Sequence, residues 1–79
     1  MLFDIVEAKY IDGYNLRISF EDGKQGVFDF SPYVKEGIFI QLRDKKEFIK
    51  FYVNKELGTI CWPNGADIAP ETIYEKLKT

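Results

Sequence analysis

The sequence predicts an α+β domain: an antiparallel sheet of about five strands, a three-stranded meander plus a hairpin, with short helices packed on one face. Three observations carry this. Residues 14–20 alternate strictly, with Tyr14, Leu16, Ile18 and Phe20 on one side and Asn15, Arg17 and Ser19 on the other, the period of a strand buried on one face. The apolar runs of the first half are separated by Asp-Gly pairs at Asp12-Gly13 and Asp22-Gly23, which are turn formers. Helix-start signals at Ser31-Pro32, at Asp44 with Glu47, and at Pro70 open only short segments.

Taken in order, residues 5–11 form the first strand and Asp12-Gly13 a type I′ hairpin turn. After the second strand, Glu21-Asp22-Gly23 turns the chain into a third over residues 24–30, which puts Phe28 and Phe30 inward and Val27 and Asp29 outward. Ser31 is the expected N-cap and Pro32 the first residue of a helix of at most two turns, running through Tyr33, Val34, Lys35 and Glu36 to a stop at Gly37. Residues 38–42 are apolar enough to lie over the sheet. Asp44 and Glu47 have the spacing of a capping box for a second short helix through Lys50. Residues 51–54 and 59–62 form the second hairpin around Lys55-Glu56-Leu57-Gly58. Pro70 opens a last helix whose buried stripe is Ile73, Tyr74 and Leu77.

The 79 residues make a single domain over 1–79, small enough for one core. A hydrophobic fraction of 46% and an aromatic fraction of 16% supply that core, and 30% charged residues of both signs supply a wet surface. The opening residues Met1-Leu2-Phe3-Asp4 reach a charge at once, and no run approaches the ~18 apolar residues of a membrane helix, so a cytoplasmic protein with no membrane contact is expected. Cys61 is the only cysteine and histidine is absent, which excludes an intrachain disulfide and the usual zinc ligand sets. The net charge of −2 divides as −3 over residues 1–34, +3 over 35–55 and −2 over 56–79. The basic middle, with Arg43, Lys45, Lys46 and Lys50 as its candidate surface, is interrupted by Asp44 and Glu47, a pattern for a solvated face rather than a phosphate-tracking stripe.

The densest information lies between residues 60 and 74. Trp62, the only tryptophan, stands beside Pro63, Asn64 and Gly65, followed by Asp67, Pro70 and Tyr74. Proline fixes φ and glycine reaches φ > 0, so this is a shaped backbone held against an aromatic anchor, with Trp62 buried alongside Ile60 and the last helix. Asp67 is expected to accept backbone N–H bonds where that helix begins. Phe20-Glu21-Asp22-Gly23, Val27-Phe28-Asp29-Phe30-Ser31, Gly37-Ile38-Phe39 with Leu42, Asp44 and Phe48, and above all Trp62-Pro63-Asn64-Gly65-Ala66-Asp67-Ile68 with Pro70 and Tyr74, resemble the small bacterial family catalogued as domain of unknown function 2442. The resemblance runs over nearly the whole chain. It implies a stand-alone domain or a piece fused to a helix-turn-helix, in some members encoded beside a second small protein in an arrangement like a toxin and antitoxin pair. It carries over no catalytic residue.

No set of residues assembles chemistry in the sequence. Asp22, Asp29 and Asp67 are the best carboxylate group for a hard cation or acid/base work, but each also suits a turn or a helix start. Cys61 has no histidine to activate it and reads as a small packed hydrophobe. The aromatics fit a core better than a base-stacking platform, because the exposed side of residues 14–20 offers only Arg17 as a cation. No catalytic, cofactor or metal residue is therefore assigned. The expected function is a non-catalytic protein-interaction or regulatory module, in the form of an antitoxin-like partner of a neighbouring small protein. A nucleic-acid-linked regulator using the basic middle segment, and a small cation-binding or carboxylate-dependent enzyme, are the alternatives. Pairing of two copies through an exposed strand edge is open to so small a sheet.

Overall fold

Alternating burial builds the first sheet. In the computed structural model, which describes residues 4–35 and 37–77, β1 (Ile5–Asp12), β2 (Asn15–Phe20) and β3 (Gln25–Asp29) pair antiparallel in the order β1-β2-β3. Leu16, Ile18 and Phe20 are buried. Their cross-strand partners Tyr10, Ala8 and Ile5 on β1, and Phe28 and Gly26 on β3, lie on the same face. Glu7, Lys9, Arg17, Gln25 and Asp29 occupy the other face and are exposed, as the sequence requires of a one-sided sheet. The first turn differs from expectation. Asp12 pairs with Asn15, so the two-residue loop is Gly13-Tyr14; Gly13 has φ +49° and no described residue other than glycine has positive φ. A type I′ turn needs positive φ at both central residues, whereas a type II′ loop needs it only at the first, where this chain has its glycine.

The middle of the chain holds less regular structure than its start signals suggest. After Phe30 a single 3₁₀ turn spans Ser31–Tyr33, with Phe30 rather than Ser31 at its N-cap and no side-chain cap bond. Asp29 accepts the Ser31 N–H at 2.8 Å, the Tyr33 N–H that a serine cap would serve goes to the Phe30 carbonyl at 2.8 Å, and the turn is too short to be a helix. Glu36, the end of the expected helix, lies outside the described residues, and Gly37 takes φ +64°. A 3₁₀ helix over Gly37–Arg43 follows, of which Leu42 is buried and Phe39 half-buried while Ile38 and Ile40 are exposed, so only part of this apolar run covers the core. α1 (Lys45–Phe48) is one turn long. Asp44 caps it by accepting the Lys46 N–H at 3.0 Å, but the Glu47 carboxylate meets Lys50 Nζ at 3.1 Å, and the capping box is only half formed.

β4 (Tyr52–Asn54) and β5 (Thr59–Cys61) form the second hairpin. Asn54 Oδ1 closes its loop by accepting N–H groups from Glu56 at 2.9 Å and Leu57 at 3.0 Å. The five strands thus divide into a sheet of three and a sheet of two, tied where Ile5 N–H donates to the Gly58 carbonyl at 2.8 Å. α2 (Pro70–Lys76) begins with proline in its first turn, where a missing N–H costs nothing. Ile73 and Leu77 join the core and Tyr74 is half-buried, its ring edge-on to Phe20 at 5.0 Å. No helix among the described residues is long and apolar enough to cross a membrane.

Candidate functional site

The block from Trp62 to Tyr74 is held together by its own backbone. Gly65 N–H donates to the Trp62 carbonyl and Trp62 N–H to the Ala66 carbonyl, both at 2.9 Å, so Pro63-Asn64-Gly65 is a three-residue hairpin loop ending on a left-handed residue, Gly65 at φ +93°. Beyond it Cys61 and Asp67 form an isolated antiparallel bridge. Two side chains then carry the loop to the middle of the chain. Asn64 Oδ1 accepts the Ala66 N–H at 2.9 Å while its amide nitrogen donates to the Ile38 carbonyl at 3.1 Å and Gln41 Oε1 at 3.0 Å. Trp62, 1% exposed, donates its indole N–H to the Phe48 carbonyl at 2.8 Å and meets the rings of Phe30, Phe48 and Phe39 at 5.6, 5.8 and 6.4 Å. Trp62 is the core anchor the sequence indicates, with ring partners drawn from residues 30–48. Asp67 is exposed, and Ala69 stands at the N-cap of α2 without a side-chain cap bond, so the expected carboxylate cap is not made there. Pro70 already removes one of the donors that such a cap would serve.

The three aspartates serve separate turns. Asp22 accepts the Lys24 N–H at 2.9 Å and the Tyr74 hydroxyl, Asp29 accepts the Ser31 N–H, and Asp67 follows the Trp62 loop. Among the described residues no group of three or more His, Cys, Asp or Glu side chains could hold a metal ion. The Tyr74 hydroxyl, with the Lys24 N–H behind it, holds the Asp22 carboxyl below the usual carboxylate range, and the same bond raises the Tyr74 phenol. Lys24 completes this tie: its ammonium lies 4.2 Å from the Tyr74 ring centroid and donates to the Tyr74 carbonyl at 3.1 Å. Cys61 is buried, and burial together with the Asp67 charge pushes its thiol up, away from nucleophilic character.

In the basic segment Arg43, Lys45, Lys46 and Lys50 are all exposed. Lys50 is paired with Glu47, Lys45 lies 5.7 Å from the Tyr14 ring centroid, and the Arg43 carbonyl accepts the Tyr14 hydroxyl. A cavity of about 370 Å³ is lined by none of these four residues and by none of Trp62 to Tyr74. The large apolar side chains left at the surface were not singled out from the sequence. Tyr10 and Ile11 on β1, Ile49 after α1, and Tyr52 on β4 are 41%, 45%, 51% and 47% exposed. β1 packs beside β4, and Tyr10 touches the Phe48 ring at 6.3 Å, so these four side chains rise from adjoining elements with the lysines of α1 next to them in sequence. The register shift that makes Ile11 an unpaired bulge residue is the signal for its exposure, and it has no mark in the sequence.

A family model described as "Protein of unknown function (DUF2442)" matches residues 5–79. No curated protein and no solved structure matches the chain.

Proposed function

The chain belongs to the DUF2442 family, and from that premise we propose that it is a cytoplasmic, non-catalytic interaction module that binds another protein through the apolar surface of Tyr10, Ile11, Ile49 and Tyr52. The observation that carries this reading is how the side chains are used. The polar groups best suited to chemistry, Asp22, Asp29, Asn54, Asn64, Tyr14 and Tyr74, are engaged in internal bonds, while large apolar side chains that a core would normally take up stand in solvent. A partner with an apolar centre and an acidic rim fits that surface beside Lys45 and Lys46. The resemblance to a family in which some members are encoded beside a second small protein supports an antitoxin-like pairing with a neighbour.

The test is capture from the native host by the tagged wild type, by Ile49→Asp, and by Lys45, Lys46 and Lys50 together replaced with glutamine. A stoichiometric protein held by the wild type and by the triple variant, and lost from Ile49→Asp, is the expected result, because rim charges set rate and salt dependence more than affinity. Retention of DNA or RNA by the wild type, abolished in the triple variant and falling steeply with salt, overturns it in favour of a nucleic-acid regulator.

A further inference from the structure

The two edges of the meander are finished differently. β1 carries unpaired residues at Val6 and Ile11, and its Ile5 N–H is taken by Gly58. β3 pairs with β2 in unbroken register, and on its inward side Phe28 stacks on Tyr33 at 5.6 Å and Gly26 lies against Leu77. Phe30 donates its N–H to the Tyr14 carbonyl and Lys24 accepts from the Phe20 N–H. By the alternation of an antiparallel ladder, the backbone groups of Gly26 and Phe28 turn toward β2 and those of Gln25, Val27 and Asp29 turn outward. Edges are commonly blunted by bulges, lysine, proline or a covering element; β3 itself has no bulge, no lysine and no proline, and Pro32, Tyr33 and Lys76 only line a cleft of about 270 Å³ with Val27, Phe28 and Asp29.

From this we infer that β3 pairs antiparallel with β3 of a second copy of the chain, about a two-fold axis at Val27. In that register Val27, 49% exposed in the single chain, faces its counterpart, and Gln25 of each copy faces Asp29 of the other, an amide donor against a carboxylate. The register is set by the backbone. It is the alignment in which Gln25, Val27 and Asp29 of both copies all exchange N–H and carbonyl groups. A slip by two residues one way brings up Ser31, whose N–H is held by Asp29 at 2.8 Å. A slip the other way brings up Gly23, whose N–H is held by the Phe20 carbonyl at 3.0 Å. Side chains on the outer face of the seam match as well: no like charges oppose one another, and the only apolar residue on that face, Val27, meets itself.

Sedimentation equilibrium over a concentration series tests this with the full chain. Val27→Glu separates fold from pairing, since the new carboxylate lies across the strand from Arg17 within one chain but against its own copy across the axis. The expected result is a wild-type monomer–dimer equilibrium whose dissociation constant rises about fivefold in Val27→Glu, with the thermal midpoint of the dilute monomer kept. In Gln25→Lys, where lysine meets Asp29, the dissociation constant falls at low salt. A wild type that remains monomeric at millimolar concentration overturns the inference, and so does a dimer that Val27→Glu leaves unchanged.

Discussion

The meander and the segment over residues 31–50 solve the same backbone problem in opposite ways. β1, β2 and β3 pair with each other along two shared ladders and close their turns with nearby side chains, Asp22 on Lys24 and Asp29 on Ser31. The described residues of the segment over 31–50 form only 3₁₀ turns and one turn of α-helix, ladders too short to occupy every carbonyl. Three carbonyls of this segment take side-chain donors from far along the chain: Ile38 from Asn64, Arg43 from Tyr14, and Phe48, which also accepts the Phe51 N–H, from Trp62. The rare residues of the last third of the sequence are thus spent on holding the middle third, and a short helix can be stable where its own ladder is too brief to make it so.

Removing the indole should break this contrast most. Trp62→Ala is expected to lower stability by about 3–5 kcal/mol, since it opens a cavity among Phe30, Phe39 and Phe48 and removes the indole donor from the Phe48 carbonyl. Urea denaturation reads it, and a variant with the wild-type midpoint and slope would show that residues 31–50 stand without the anchor. A comparison at Asn64 sharpens the contrast. Asn64→Asp keeps the acceptor for Ala66 but loses the donors to Ile38 and Gln41, whereas Asn64→Ala loses both ends, so the order of stability should be wild type, Asp, then Ala, with the alanine variant down by about 1–3 kcal/mol. Equal losses in the two variants would mean that the loop needs Asn64 only for itself.

The smallest effect belongs to the meander, at the tie between its second turn and α2. Asp22 has its pKa depressed on folding by the Tyr74 hydroxyl first and the Lys24 N–H second, so the stability it contributes is present above the ordinary carboxylate value of ~3.9 and is lost as pH falls through the lowered folded value. The Tyr74 phenol is raised by the same bond, so its contribution is present below ~10 and lost as pH rises through the folded value. The difference in denaturation midpoint between wild type and Tyr74→Phe should therefore be level between those limits and close at both ends. A difference that stays unchanged at acid pH would assign the effect of Tyr74 to its ring against Phe20 and Lys24 instead.

Much of the fold was legible because strand burial is a local property. The alternation at Leu16, Ile18 and Phe20 fixes which face is inward whatever the rest of the chain does, and Trp62-Pro63-Asn64-Gly65 encodes its own loop through fixed φ at proline and positive φ at glycine. The proposed binding surface was not legible, since Ile49 and Tyr52 look like core residues until β1 and β4 are placed side by side.

By itself, then, the sequence determined five strands, the inward residues of the second and third, an anchor at Trp62 and the absence of histidine chemistry, all of which follow from side-chain period and residue type. Tertiary structure alone decided that Gly13-Tyr14 rather than Asp12-Gly13 makes the first turn, that Ser31 and Asp67 cap nothing, and that Ile38, Ile40, Ile49 and Tyr52 remain outside. Each of these depends on which donor or apolar surface arrives from elsewhere in the chain, and a capping or burial signal read along the sequence is only a local offer that a distant partner can leave unused.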